Sequence, residues 1–327
     1  MGDALHGTDG VENPGAAGRS GPRPPRPPAG PSPVIHRLDA VTSTQDEATR
    51  RLGVGEGTPF AVTARRQTAG RGRLGRPFAS PAGSILALTH VHRSVLAPGD
   101  RGWIPLAAGL AALTALEEVL GADVAGAASD GPDRIGLKWP NDVHTAQGRK
   151  LGGILVEGRG AESVLVGIGL NLRAPMQDDG APVPGAAWLW GEGGIAGEDP
   201  GVGSEQEALR AALEEALVEA LTAEVAALES AGGDGSAAGT CQRYTMSCLT
   251  LGRAVRVDPV GSAGGAPAPS LHGTARTIDG RGRLVVDLEG GDQVAVDVGD
   301  VRHLRPDDPV RPTTDGAPGA EQEEQGT

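Results

Sequence analysis

The segment Gln67-Thr68-Ala69-Gly70-Arg71-Gly72-Arg73-Leu74-Gly75-Arg76 hangs three guanidinium groups on a glycine-rich loop. Guanidinium forks grip carboxylate and phosphate oxygens in pairs, and a flexible scaffold lets them close around such a group. The spacing Gly70-x-Gly72-x-x-Gly75 also has the form of a dinucleotide fingerprint. That reading fails, because the fingerprint needs a helix next, whose N-terminus meets the pyrophosphate. Here Pro77, Pro81 and Gly83 follow, and the next regular element is a strand.

Three further segments hold chemistry-bearing side chains. Lys138-Trp139-Pro140-Asn141-Asp142 ends a strand on a proline, then presents an amide and a carboxylate. A carboxylate there suits Mg²⁺ or the proton of a nucleophilic amine. Arg149-Lys150-Leu151-Gly152-Gly153 opens a strand with an ammonium group, and its glycines let a ligand or another backbone approach closely. Gly167-Ile168-Gly169-Leu170-Asn171 repeats that openness and offers Asn171 to a phosphate or a metal-bound water. Each segment also has a plainer reading in isolation: a solvated basic loop, an Asn-Asp turn, a surface lysine at a hairpin end, a closely packed strand.

The elements around these segments alternate in type. Val34–Leu38, Phe60–Ala64, Ser84–Val91, Ile135–Trp139, Lys150–Glu157 and Val164–Leu172 read as strands. Ala146-Gln147-Gly148 marks a hairpin joining the strand at Ile135 to the one at Lys150. Thr44 with Glu47, and Ser204 with Glu207, have capping-box spacing and open helices. Leu106, Leu110, Leu113, Leu116 and Leu120 form one helical stripe; Leu209, Leu213, Leu217, Leu221, Val225 and Leu228 form another. From Leu251 the apolar period changes to two, with turns at Asp279-Gly280 and Gly290-Gly291. Too small to fold comfortably alone, this β module is expected to lean on the rest. The organisation expected is a disordered Pro-rich tail over 1–32, a catalytic domain over 33–245, a β module over 246–306 and a disordered acidic tail over 307–327. A loose loop is expected at 261–269.

Composition narrows the function classes. The net charge of −13 argues against a chain-wide nucleic-acid footprint, which needs clustered Lys and Arg. Two cysteines, Cys241 and Cys248, make no disulfide framework and read as reduced thiols of a cytoplasmic protein. No apolar run reaches transmembrane length, and the N-terminus lacks the apolar centre of a signal peptide.

Taken in order, Ser43-Thr44-Gln45, the Gly70–Arg73 loop, Lys138–Asp142, Arg149–Gly153 and Gly167–Asn171 resemble the biotin–protein ligases, over about residues 34–306. The resemblance implies a mixed central sheet flanked by helices, similar to class II aminoacyl-tRNA synthetase catalytic domains, plus a small C-terminal SH3-like β-barrel. It implies ATP, Mg²⁺ and biotin as reactants, and the biotin carboxyl carrier protein or domain of a carboxylase as partner. By the same resemblance, Ser43, Thr44, Gln45 and Gln67 hydrogen-bond the biotin ring end. Arg71, Gly72 and Arg73 lie on a loop closing over biotin and the adenylate, and Lys150 bridges the biotin carboxylate and the α-phosphate. Asp142 orients or deprotonates the carrier lysine. Lys138, Asn141 and Asn171 join the nucleotide side, with no side chain assigned as a direct metal ligand.

Three departures from the family pattern stand out. Gln45 occupies a position where Asn is common, and Phe78 one where Trp is usual. Some members carry an N-terminal helix-turn-helix repressor domain; here a Pro-rich tail precedes the catalytic region, so ligase activity without repression is expected. Trp188 and Trp190 are left to the core. The alternatives are a lipoate or octanoate ligase of the same fold and, from another class, a nucleic-acid-binding regulator.

Overall fold

A computed structural model describes residues 32–75, 78, 83–121, 131, 133–177, 179–201, 203–259, 270–297 and 299–303. The expected tails, apart from Ser32, and the expected loop at 261–269 lie outside these residues. In chain order the first unit contains β1 (Val34–Val41), α1 (Thr44–Gly53), β2 (Phe60–Gln67), β3 (Ile85–Arg93), α2 (Ile104–Leu120), β4 (Ile135–Lys138), β5 (Asp142–Thr145), β6 (Lys150–Arg159), β7 (Ser163–Asn171), α3 (Ser204–Ser230) and α4 (Thr240–Ser247). The second contains β8 (Ala254–Pro259), β9 (Leu271–Ile278), β10 (Leu284–Leu288), β11 (Gln293–Val296) and β12 (Gly299–His303).

Seven strands form one mixed sheet in the order β1-β2-β3-β7-β6-β5-β4. Only β1 and β2 run parallel; every other neighbouring pair is antiparallel. On one face, Val164, Val166, Ile168 and Leu170 of β7 belong to the main core with α2 and α3. On the other, Phe60, Val62, Val91 and Leu165 pack with Ala48 of α1 in a smaller cluster. The five remaining strands form an antiparallel sheet ordered β11-β10-β9-β8-β12. No described helix is long and apolar enough to cross a membrane.

Several local expectations are corrected. Ser43, not Thr44, caps α1: its Oγ accepts from the Gln45 N–H at 3.2 Å. Thr44 is drawn inward by Gln67, and Glu47 bonds Arg50 and Arg51 instead of closing a capping box. Gly203 precedes α3 without a side-chain cap, and Glu207 reaches Arg65. The hairpin at Ala146–Gly148 joins β5 to β6, not β4 to β6, because the additional strand β5 pairs with both. α2 buries its alanines together with Leu106, Leu110 and Leu116, since it lies between the sheet and α3; Leu113 and Leu120 are only partly covered. Trp188 and Trp190 are buried, as expected.

The long helix α3 is tied to the sheet by charge as well as by its leucines. Arg210 donates to the backbone oxygens of Ala64 and Ile85 and to Glu214, which also accepts from Thr63 and Arg37. Both Arg210 and Glu214 are buried. Removing one member of such a pair strands the other, whereas a surface pair contributes little. Arg210→Met should therefore cost about 3 kcal/mol of unfolding free energy in a urea titration. A loss under about 1 kcal/mol would show that Arg37 and Thr63 suffice for Glu214.

Candidate active site

Strand pairing builds the floor of the site. Gly153 of β6 sits opposite Gly169 of β7, Gly169 opposite Ala87 of β3, and Ala87 opposite Ala64 of β2. This row of small residues crosses four strands and leaves a shallow trough on one face. A Cβ on Gly169 would lie 2.5 Å from the Phe78 ring, and one on Gly167 would lie 2.8 Å from Nε2 of Gln45. Both approaches are closer than side-chain carbons tolerate. Over this floor lies a cavity of about 300 Å³.

One part of its lining is polar and buried. Gln67 Oε1 accepts from the Thr44 amide at 2.8 Å and from the Thr44 hydroxyl at 3.1 Å, while Thr89 donates to that hydroxyl at 2.9 Å. Gln45 Nε2 donates to the Leu155 backbone oxygen at 2.9 Å. Its Oε1 is buried, and no donor among the described residues reaches it. A buried acceptor without a donor is costly, and a ligand N–H would relieve it.

The other part is cationic and more open. Arg71, Arg73 and Lys150 line it, with Asp142 as the one carboxylate among the described residues, so a locally positive site sits in an acidic protein. Each of the three has an internal partner. Arg71 pairs with Asp46 at 2.6 Å, Arg73 donates to Asn141 Oδ1 at 2.8 Å, and Lys150 pairs with Asp142 at 2.6 Å. Asn141 is itself fixed through its amide donating to the Ile154 oxygen at 2.9 Å. Burial raises the Asp142 carboxyl, but His144, with its ring Nε2 at 3.6 Å, and the Lys150 ammonium outweigh it and hold the carboxyl at about 2.

Most of the residues singled out in sequence therefore meet here: Ser43, Thr44, Gln45, Gln67, Arg71, Gly72, Arg73, Asn141, Asp142 and Lys150 all line the cavity. Lys138 and Asn171 do not. Asn171 lies behind Lys150, donating to the backbone oxygens of Lys150 at 3.3 Å and Ala187 at 2.9 Å. Thr89 and His144 went unnoticed in sequence, though each touches the site residues. The strand alternation at Ala87-Leu88-Thr89 was the available signal for the first; nothing in the sequence marked the second. Phe78, at the position where Trp is usual in the family, also lines the cavity. Among the described residues no group of three His, Cys, Asp or Glu side chains is placed to hold a metal ion. The arrangement suits an elongated ligand with hydrogen-bonding groups at its buried end and an anion at the other.

Residues 39–172 match the biotin/lipoate A/B protein ligase family, and residues 263–304 match the biotin protein ligase C-terminal domain. The biotin–[acetyl-CoA-carboxylase] ligase of Mycobacterium tuberculosis is 36% identical over 246 residues, covering 75% of this chain and 79% of that protein. The protein of the same name from Paracoccus denitrificans is 39% identical over 153 residues, 46% of this chain and 58% of its own. The fold resembles a biotin protein ligase from Aquifex aeolicus solved with biotin and ATP, with a TM-score of 0.59 at 22% identity over 83% of this chain and 99% of that one.

The Asp142 pair has a measurable pH signature. Its carboxyl is depressed in the folded state from an ordinary 3.8, so its contribution to stability is complete above about pH 4 and is lost as the pH falls towards 2. In Lys150→Met the burial remains and the ammonium is gone, so Asp142 should titrate above its parent value of about 2 when followed by carbon NMR. An unchanged midpoint would assign the depression to His144 alone.

Proposed function

The chain belongs to the biotin protein ligase family, and from that premise we propose that this cavity joins biotin to ATP and then delivers biotin to a carrier protein. In the first step a biotin carboxylate oxygen attacks the α-phosphorus of ATP. The bond to the pyrophosphate leaving group breaks, giving biotinyl-5′-adenylate. In the second, the neutral amine of a carrier lysine attacks the acyl carbon, the bond to the AMP oxygen breaks, and the amine proton leaves to solvent. Adenylation is needed because a bare carboxylate is a poor acyl donor. The observation that carries this reading is the joining, over one glycine floor, of a buried hydrogen-bonding end and a cationic mouth.

The residues divide the work. Thr44, Gln45 and Gln67 face the ureido group, and the unused Gln45 oxygen is the natural acceptor for one of its N–H donors. Arg71 and Arg73 cover the acyl phosphate. Lys150 leaves Asp142 to bridge the substrate carboxylate and the α-phosphate, where fixed positive charge favours the developing negative charge. Asp142, released by Lys150, accepts a hydrogen bond from the incoming amine and orients it; even a carboxyl of ordinary acidity is too weak a base to deprotonate a lysine of ordinary basicity. Asn171 supports the site from behind, its amide donating to the backbone oxygens of Lys150 and Ala187. Mg²⁺ arrives with ATP, held by phosphates and water, as this small cation prefers. Among the described lining residues Asp142 is the carboxylate available to join that shell. The partner is the carboxyl carrier domain of a biotin-dependent carboxylase, met in the cytoplasm where ATP and carrier coexist.

A lipoate or octanoate ligase would use the same mouth but not the same buried end. Neither a dithiolane nor an alkyl chain carries an N–H donor, and either would leave the Gln45 oxygen and its neighbours unsatisfied. A nucleic-acid regulator fits less well, because the three cations line a cavity instead of a continuous surface stripe.

Incubation with ATP, Mg²⁺, biotin and a carrier domain should add one biotinyl group to the carrier, read by mass spectrometry. In thermal-shift assays with ATP and Mg²⁺, biotin should stabilise the protein and lipoate should not; stabilisation by lipoate alone would reverse the assignment. Lys150→Ala should slow pyrophosphate release by about 100-fold or more without loss of fold. Near-parental release by that variant would remove Lys150 from the chemistry. Arg71→Ala should lose the adenylate faster while making it at a similar rate, and parental retention would count against its covering role.

A further inference from the structure

The C-terminal sheet touches the first unit through two indoles that reach the same turn. Trp103 Nε1 donates to the Gly280 oxygen at 2.9 Å, and Trp139 Nε1 donates to the Gly282 oxygen at 3.0 Å. The approach is close there, since a Cβ on Gly102 would lie 2.2 Å from the Arg281 oxygen. Both indoles are almost fully buried. They differ in what lies beyond them. Trp103 precedes α2 and leads into the core. Trp139 is followed by Pro140, Asn141 and Asp142, the turn from β4 to β5 that lines the cavity.

A second bond holds Trp139 from its backbone side. Its N–H donates to Thr250 Oγ1 at 3.1 Å, and Thr250 Oγ1 lies 3.1 Å from His303 Nε2 on β12. Burial, with Lys138 and Arg253 nearby, pushes His303 down to about 4, so its neutral ring can accept the threonine proton. Beyond the turn, Asn141 receives Arg73 through Oδ1 and is pinned to Ile154 through both its amide and its backbone oxygen. A path of buried and half-buried contacts thus runs from β12 and the β9–β10 turn, through Trp139 and along the chain to Asn141, to the basic loop.

We infer that Trp139 is a positioning residue: gripped at its ring by the β9–β10 turn and at its backbone by Thr250, which His303 of β12 contacts, it fixes the turn presenting Asn141 and Asp142, so the C-terminal unit acts on the site through this residue. It touches no reacting atom, and it does not itself line the cavity. Its effect is on how long the basic loop stays anchored, and hence on retention of the adenylate. That last consequence rests on the function proposed above; the fixing of the turn does not.

The test compares Trp139→Phe with Trp103→Phe in the full chain. Each removes one indole N–H from the same turn and leaves an aromatic ring in place. Two readouts are taken. In the ligand-free protein, hydrogen exchange of the segment 138–145 should quicken by about fivefold in Trp139→Phe and stay at the parental rate in Trp103→Phe. With biotin, ATP and Mg²⁺, release of the preformed adenylate should quicken by a similar factor in Trp139→Phe only, at comparable losses of thermal stability. Should Trp139→Phe fail to fold, Thr250→Val removes the other bond to Trp139 and should reproduce both effects. Equal changes in the two tryptophan variants, or parental exchange and release in Trp139→Phe, overturn the inference. So does faster exchange without faster release. A parent that forms no adenylate sinks the proposed function, while the exchange data still decide whether Trp139 holds the turn.

Discussion

Strand pleating is the constraint on which the site depends. Successive side chains of β7 point to opposite faces, so one strand must meet two demands at once. Val164, Val166, Ile168 and Leu170 supply branched bulk to the core under α2 and α3. Between them Gly167 and Gly169 supply nothing, and the absence of side chains makes room for Gln45 and Phe78. Because register fixes which residue faces which, the small residues Gly153, Gly169, Ala87 and Ala64 fall in one row. A slip of one residue would fill the trough with aliphatic side chains and empty the core.

Charge is placed with similar economy. The chain carries −13 overall, yet among the described residues three of the four ionised side chains lining the cavity are cations. Fixed donors help catalysis most when they already sit where charge develops and need no rearrangement. Lys150 and Arg73 are held by Asp142 and Asn141, adjacent residues where β4 turns into β5, so in the proposed reaction Lys150 exchanges one oxyanion partner for another. His144 sits behind Asp142 and helps keep it ionised.

How much of this was legible in the sequence follows from how local each determinant is. The glycine-rich loop, the glycine pairs of β6 and β7, and the leucine stripes of α2 and α3 are local patterns, and each was readable. Four elements were not. β5 has four residues and begins at Asp142, the second residue of an Asn-Asp dipeptide that reads as a turn. α4 is short, has no apolar stripe, and begins after Gly239 in a left-handed conformation. β9 and β12 lack the dense Val and Leu alternation of β10, and much of their support comes from strand neighbours. The caps failed for a related reason. Ser43 and Thr44 are adjacent hydroxyls of equal local merit, and Gln67, distant in sequence, decides between them by claiming Thr44. The role of Asn171 was likewise undecidable from its strand alone, since Lys150 and Ala187 take up its amide.

The pairing of Arg71 with Asp46 changes what ligand entry means at the mouth of the cavity. The guanidinium does not wait bare in solvent; a carboxylate on α1 already occupies it, with both side chains about two-fifths exposed. The bond to Asp46 uses one nitrogen of the guanidinium, and as a half-exposed pair it contributes little to stability. An incoming anion can therefore share the fork with Asp46 or replace it at small cost, and the arginine is kept near the mouth of the cavity before any ligand arrives.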